Sequence, residues 1–223
     1  MSEPAANEAS LNNVNSYLQQ TRLEGLSTGD VRLPVVLNLA ETCGFESTHT
    51  FQTTRLALMI FDQLESLHRL GESEKFWLEA AAILHDIGWV DGWRGHHKSS
   101  LRIILQTPML PFTNRERLTI GSIARYHRKA LPEERHDHYN ALSFHDRQVV
   151  KMLSAILRVA DGLDTTHQSL VKKVAVKVTT RKIDINCLVA LPITEEPKMT
   201  LKKADLMELV FNKRVSVTWQ IGE

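Results

Sequence analysis

The sequence is poor in the features that mark secreted, thiolate-metal or membrane proteins. It has two cysteines, Cys43 and Cys187, whose wide separation predicts neither a disulfide framework nor a thiolate zinc site. Its first residues lack a basic segment followed by an apolar one, so we expect no secretory signal. No apolar run approaches membrane-spanning length. These absences predict a cytoplasmic protein with reduced thiols and no membrane partner.

An excess of charge of one sign is also lacking. The 27 Lys and Arg residues nearly balance the 26 Asp and Glu residues, for a formal net charge of +1. This balance gives no electrostatic reason to expect a nucleic-acid partner. The 43% hydrophobic and 24% charged content is that of an ordinary globular protein, and 223 residues suffice for one sizeable core.

Hydrophobic periodicity changes once along the chain. A polar tail over residues 1–9 is expected to be disordered, and helical spacing then predicts a helical domain over residues 10–169. Within this domain, Thr113 and Glu116 have the spacing of a capping box. Residues 170–223 alternate as strands around one amphipathic helix, "LKKADLMELVFNK". The sequence therefore predicts a mainly α fold with a small C-terminal α+β appendage.

Polar residues interrupt the apolar faces of several predicted helices. The stretch "AAAILHDIGW" places His85 and Asp86 at the end of an apolar run, and His49 shares a stripe with Leu56 and Ile60. A buried carboxylate without a partner is costly. A cation, a hydrogen-bond network or solvent in a cleft would each offset that cost.

Three further residues continue apolar stripes on other helices, namely Asp161, His127 and His97. His96 is the alternative to His97 at the inward-facing position, because a one-residue shift in helical phase decides which of them faces inward. Each residue alone is at least as well explained as a hydrogen-bonded core residue as by a role as a metal ligand. Their convergence on one place predicts a cation site. Imidazoles and carboxylates without thiolate suit Mn²⁺, Fe²⁺, Mg²⁺, Co²⁺ or Zn²⁺.

The order of His49, His85-Asp86 and Asp161 resembles the H…HD…D signature of HD-domain metal-dependent phosphohydrolases. Further segments between residues 31 and 167 resemble the C-terminal HD domain of the exopolyphosphatase/guanosine pentaphosphate phosphatase family. These segments are, in chain order, "IFDQL", "AAAILHDIG", "GHHKSS", "ARYHRK" and "AILRVADGLD". The resemblance implies an HD-domain helical bundle for the helical domain.

The resemblance also implies ligands for one or two metal ions. The residues of the signature, which would hold the first ion, are His49, His85, Asp86 and Asp161. The residues that match the extra histidines of binuclear members are His97 and His127, and Asp86 would bridge the two ions.

Two departures from the family limit what the resemblance implies. The large actin-like region that supplies the family's phosphatase chemistry does not occur in this sequence, so catalysis by that route does not carry over. Ser99 stands where the family often has a further histidine.

If the site binds a metal ion, we expect a metal-activated water to hydrolyse a phosphate ester, nucleotide or polyphosphate. Besides Asp86, we expect two cations near the mouth, Arg94 and Lys98, to hold phosphate oxygens. The cations expected behind them are Arg125, Arg128 and Lys129. Each of these five is otherwise a solvated surface charge.

Three residues near the site have roles that the sequence leaves open. Asp164 is expected either to orient a ligand or to bond to the local backbone. Trp89 and Trp93 flank the expected mouth, where aromatic rings either stack on a nucleobase or simply pack.

Three functions fit these features. The first is a divalent-metal phosphohydrolase. The second is a regulatory module that binds a phosphorylated ligand, such as an alarmone or polyphosphate, without turnover. The third is a structural or dimerisation domain, and a homodimer is compatible with all three. The inward-facing carboxylates favour the enzyme, because their desolvation must be offset.

Overall fold

The computed structural model describes residues 4–26, 28–193 and 196–222. The helices of these residues are α1 (Pro4–Leu23), α2 (Leu33–Thr42), α3 (Ser47–Gln63), α4 (Glu65–His68), α5 (Glu72–Leu84), α6 (His96–Gln106), α7 (Asn114–Arg125), α8 (Asp137–Asn140), α9 (Phe144–Gly162), α10 (Glu196–Lys203) and α11 (Asp205–Phe211), with a short 3-10 helix at Ile87–Asp91. The strands are β1 (Val171–Val178), β2 (Lys182–Val189) and β3 (Arg214–Ile221). The predicted mainly α fold with a small C-terminal appendage is confirmed.

Four helices, α3, α5, α7 and α9, pack against one another around the core. Apolar side chains at helical spacing fill this core, and Leu56, Leu78, Ile120 and Leu153 are completely buried. The capping box predicted for the start of α7 is present, since the Thr113 hydroxyl accepts from the Glu116 amide. These four helices carry, or lead directly into, most of the polar residues that the sequence points inward.

The appendage is built on the last helix of the bundle. Strands β1 and β2 form an antiparallel pair, and β3 returns parallel to β2 at the edge of the three-stranded sheet. The connection from β2 to β3 runs through α10 and α11, because parallel neighbours require a long crossover. Both helices pack on α9. The appendage therefore lies close to the C-terminal half of α9.

The structure changes two of the predicted boundaries. Helix α1 begins at Pro4, so the tail predicted over residues 1–9 is helical from residue 4 onward, and residues 1–3 lie outside the described residues. Proline suits the first helical position, and the alanines after it are the strongest helix formers. The single helix predicted in the appendage is two helices, which meet at Ala204.

Close packing between two short segments positions the start of α6. A Cβ atom on Gly88 would lie 2.1 Å from the His96 carbonyl oxygen and 2.5 Å from the Ser100 amide nitrogen. Glycine therefore lets the 3-10 helix lie directly against α6. The Ser100 hydroxyl secures the contact by donating to the His85 carbonyl oxygen at 2.7 Å. As a result, Asp86 and the first turn of α6 face each other.

A buried carboxylate at Glu79 joins α5 to α1 and the following loop. Its oxygens accept hydrogen bonds from the Tyr17 hydroxyl, at 2.8 Å, and from the Thr28 hydroxyl. Burial raises the pKa of Glu79 above its ordinary 4.5, although both hydrogen bonds oppose the shift. The folded protein thus binds a proton at Glu79 more tightly than the unfolded chain does.

This shift predicts a pH dependence of stability that Glu79→Gln removes. The contribution of a raised carboxyl pKa is fully present below about pH 4.5 and is lost as the pH rises through the folded value. Between pH 4.5 and neutrality, we therefore expect the wild type to lose free energy of unfolding relative to Glu79→Gln. Urea unfolding across this range measures the difference, and parallel pH profiles for the two proteins would contradict the prediction.

None of the described helices is both long enough and apolar enough to cross a membrane.

Candidate metal centre

Six polar side chains from different parts of the bundle form two adjoining groups. His49, His85 and Asp161 form the first group, in which one potential ligand atom of each residue lies within 4.8 Å of the others. Asp86, His96 and His127 form the second group by the same measure. The two groups adjoin, because Nε2 of His85 lies 3.4 Å from Oδ2 of Asp86.

The histidine rings are oriented by hydrogen bonds behind them. In three rings Nδ1 lies against a backbone carbonyl oxygen three residues earlier in the chain. The pairs, with their N···O distances, are His85 and Ala82 at 2.7 Å, His96 and Trp93 at 3.0 Å, and His127 and Ala124 at 2.7 Å. A carbonyl oxygen only accepts, so Nδ1 carries the proton and Nε2 of the neutral ring has a free lone pair. Histidines that bind metals commonly show this arrangement.

Asp86 lies between the inward-facing nitrogens. Its Oδ1 is 3.1 Å from Nε2 of His96 and 3.5 Å from Nε2 of His127. Three buried atoms of the two groups, namely Oδ1 of Asp86 and Nε2 of His49 and of His85, make no hydrogen bond within the described residues. Buried polar atoms without partners are rare in folded proteins. A cation bound at this point would give all three atoms a partner.

His49 is held by two carboxylates on its two sides. Nδ1 lies 2.9 Å from Oδ2 of Asp164, and Nε2 lies 3.4 Å from Oδ1 of Asp161. Burial opposes protonation of His49, but the two carboxylates outweigh burial and raise its pKa to about 10. The ring of His167 stacks on that of His49 at a centroid distance of 3.8 Å. The carboxylates thus favour the protonated ring, and a metal ion bound at Nε2 would displace that proton.

The pKa values of Asp86 and His127 are both lowered, for different reasons. Burial disfavours the ionised form of Asp86, but the imidazoles around it, His85 first, outweigh burial and hold its pKa well below the usual range. Burial lowers the pKa of His127 well below its usual value, and Asp86 only partly offsets this shift. The centre therefore combines an ionised carboxylate with a neutral imidazole, which is the form that binds a metal.

Asp164 takes both of the roles left open for it. Besides facing His49, it accepts a hydrogen bond from the Ser169 amide at 2.7 Å. It therefore orients a ring of the centre and also stabilises the turn that follows α9.

At the start of α6, the structure places His96 in the second group. The ring of His97 lies 5.7 Å from that of His96 and 6.3 Å from that of His127, measured between centroids. Both histidines are buried, but only His96 brings a nitrogen to Asp86 in the described contacts. Helix α6 therefore turns the ring of His96, and not that of His97, toward Asp86.

The two cations expected at the mouth lie outside the six residues of the centre. Arg94 is exposed and stacks over the ring of Trp93 at 5.3 Å, and Lys98 is exposed. In the described part of the chain, neither makes a contact with the six residues of the centre. Arg128 does, since its Nη1 lies 3.2 Å from Nε2 of His96.

Sequence reasoning missed Lys203, at the end of α10. Its ammonium group forms an ion pair with Oδ2 of Asp161. The two residues are 42 positions apart and lie in separate predicted units, so no local spacing relates them. The appendage therefore supplies a charged group to the centre.

A pocket of about 250 Å³ opens beside the centre. Its lining includes Asp86, Trp89, Phe45 and His167. Trp89 is half exposed and lies where the sequence places the mouth, whereas Trp93 is not part of the lining. A small molecule can therefore reach Asp86 from solvent.

The donor set of the centre fits a divalent cation. Four imidazoles and two carboxylates, with no thiolate, suit Zn²⁺, Fe²⁺, Mn²⁺ or Co²⁺ better than Ca²⁺, which prefers oxygen ligands alone. The unpartnered atoms of His49, His85 and Asp86 lie where such an ion would bind.

Comparison with known proteins gives two matches. The profile of the family described as Ppx/GppA phosphatase, domain III, matches residues 31–208. A guanosine-5'-triphosphate,3'-diphosphate pyrophosphatase of Pseudoalteromonas atlantica is 28% identical over 139 residues, which are 62% of this chain and 27% of the relative. The chain thus spans about a quarter of that relative's length. Since the family match covers well over half of the sequence, the chain belongs to the Ppx/GppA phosphatase family and corresponds to its domain III.

Proposed function

We propose that this protein is a divalent-metal-dependent phosphohydrolase that acts on a polyphosphorylated nucleotide or on polyphosphate. One observation carries the proposal: four imidazoles and two carboxylates converge, while hydrogen bonds behind the rings fix their orientation. The residues that would hold one or two ions are His49, His85, Asp86, Asp161, His96 and His127. This set has His96 in place of His97.

The family and the pocket support the substrate class. The Pseudoalteromonas relative is named for pyrophosphatase action on guanosine-5'-triphosphate,3'-diphosphate, a nucleotide with several phosphates. Aromatic rings at Trp89 and Phe45 line the pocket beside Asp86 and offer surfaces on which a base can stack. These features favour a nucleotide over a simple phosphomonoester.

A bound divalent ion would supply Lewis acidity toward a phosphoryl oxygen and toward water. The chain's own residues provide the positioning on which phosphoryl transfer mainly depends. Asp164 fixes the ring of His49, and backbone carbonyl oxygens fix three other rings. Arg128 provides a guanidinium beside His96 that can bind phosphate oxygens.

A regulatory binding module is the second candidate, and a specific observation favours it. Lys203 pairs with Asp161 and Arg128 contacts His96, so protein cations already satisfy part of the centre. Such a site can bind a phosphorylated ligand without hydrolysing it. The homodimer, the lack of nucleic-acid partners and the cytoplasmic location stay predictions.

Elemental analysis of the purified protein, followed by a phosphate-release screen with Mn²⁺, tests the proposal. The screen covers nucleotides, guanosine polyphosphates and inorganic polyphosphate. We expect bound transition metal, with release that His127→Gln abolishes. His145→Gln is the matched control, because His145 is exposed and its side chain pairs only with Asp146 in the described contacts. Bound metal without release from any substrate would instead favour the binding module.

A further inference from the structure

Arg125, the last residue of α7, is buried without an acidic partner. Only 6% of its surface is exposed, and its Nη1 atom makes no hydrogen bond within the described residues. No acid of the described residues lies within ion-pair distance of it; the contact that the structure gives its guanidinium is the ring of Tyr126, at 5.7 Å. Burial is strong enough to lower the pKa of Arg125.

An isolated buried charge is among the most costly features of a folded protein. Arginine does not escape this cost by losing its proton, because its pKa is too high. Every other buried cation described in the bundle has an acid or several acceptors: Arg55 pairs with Glu24, and Arg158 with Asp205. The described residues therefore give Arg125 no anion to offset the cost of its burial.

Two imidazoles near Arg125 also have unpartnered buried nitrogens. These are Nδ1 of His97, a residue that is 3% exposed, and Nε2 of His138. The guanidinium of Arg125 and the ring of His138 both lie against the ring of Tyr126, at 5.7 and 5.5 Å. The charge of Arg125 also acts on His97. Each imidazole can present an N–H group to an acceptor.

Cations outnumber acids around this cluster. Arg128 and Lys129 act electrostatically on His97, and Lys98 and Arg135 act on the neighbouring His136, where Glu133 opposes them. A guanidinium and imidazole N–H groups in such a field form a set of donors that matches a tetrahedral oxyanion.

The cluster adjoins the candidate metal centre without belonging to either of its groups. The ring of His97 lies 6.3 Å from that of His127, which faces Asp86. An oxyanion held at His97 would therefore be a close neighbour of a phosphate held at the centre.

We infer that Arg125, His97 and His138 form an oxyanion site that binds a phosphate group beside the metal centre. If the proposed function holds, on which this last step rests, the site takes a non-reacting phosphate of the substrate. The substrates of the centre would then carry two or more linked phosphates. Buried His97 would bind one of these phosphates and not a metal ion.

Calorimetric titration of the full chain with inorganic phosphate, in buffer containing EDTA, tests the site without metal. We expect the wild type to bind phosphate and Arg125→Met to bind it at least about 10-fold more weakly, as loss of a charge-assisted hydrogen bond implies. Arg125→Met is also expected to fold, because it replaces an unpaired buried charge by an apolar chain of similar length. Arg135→Gln is the control, since Arg135 is exposed and paired with Glu133.

Absence of phosphate binding by the wild type in EDTA, or equal affinity in Arg125→Met, would overturn the inference. A second measurement separates it from the proposed function. Where phosphate release occurs, Arg125→Met should raise KM for tripolyphosphate and leave KM for p-nitrophenyl phosphate unchanged. Phosphate binding in EDTA without any hydrolysis would refute the enzyme and leave the oxyanion site intact.

Discussion

Replacing Asp86 by asparagine is expected to lower both metal content and phosphate release by at least about 100-fold, because loss of even an outer hydrogen-bond partner of a metal ligand costs roughly 10- to 100-fold. Asp86 has the widest set of contacts in the centre. One oxygen faces His96 and His127, and the other faces His85. Asparagine keeps the shape but supplies one neutral acceptor in place of two charged ones.

The chain offers a matched control for this substitution. Asp91 ends the 3-10 helix that follows Asp86 and pairs at the surface with Arg102, at 2.6 Å. Exposed ion pairs contribute little, so Asp91→Asn should keep wild-type metal content and activity. Circular dichroism establishes that both variants are folded. Unchanged metal content and phosphate release in folded Asp86→Asn would contradict the assignment of the centre.

Several of these residues could be located from local sequence patterns alone. His49, His127 and Asp161 each extend an apolar stripe at helical spacing, and the structure brings all three to the interior of the bundle. Long helices with continuous stripes leave little doubt about which face is buried. The fold class followed from the same patterns.

The apolar stripe of α6 does not determine whether His96 or His97 faces the centre. Helix α6 begins directly after Gly95, whose φ of 77° sets the direction in which the first turn leaves the loop. Successive residues of a helix point about 100° apart, so a shift of one residue exchanges the two rings. Both are buried, and the stacking of His96 on Trp89 depends on a tertiary contact.

Lys203 and Arg128 show a second limit. Their positions relative to the centre depend on how α10 packs on α9 and on how the chain turns after α7. Hydrophobic periodicity predicts neither position, because a charged residue at the edge of a helix face is expected to be solvated. Arg94 and Lys98 are close to the centre in sequence, but both are exposed.

A buried charge, Arg158, lies where the appendage packs on α9, and removal of its partner has the second large expected effect. Arg158 is 3% exposed and makes a two-pronged contact with Asp205, at 2.8 and 2.9 Å, and donates to the Tyr126 carbonyl oxygen at 3.2 Å. Asp205→Asn leaves the guanidinium buried without its counter-charge. We expect a loss of about 2 kcal/mol in the free energy of unfolding, less than for a fully buried pair because solvent partly screens Asp205.

Thermal unfolding measures this loss as a decrease in Tm of roughly 4–8 °C for a chain of this size. Asparagine keeps an acceptor for the Leu206 amide, so the start of α11 is not weakened at the same time. Arg158→Met should cost less, because the side chain of Asp205 is 45% exposed and remains hydrated when its partner is removed. In the double variant no buried charge is left, so its Tm should exceed that of Asp205→Asn. A double variant less stable than either single one would show that the two residues do not act as a pair, and that the appendage is held on α9 by its apolar contacts alone.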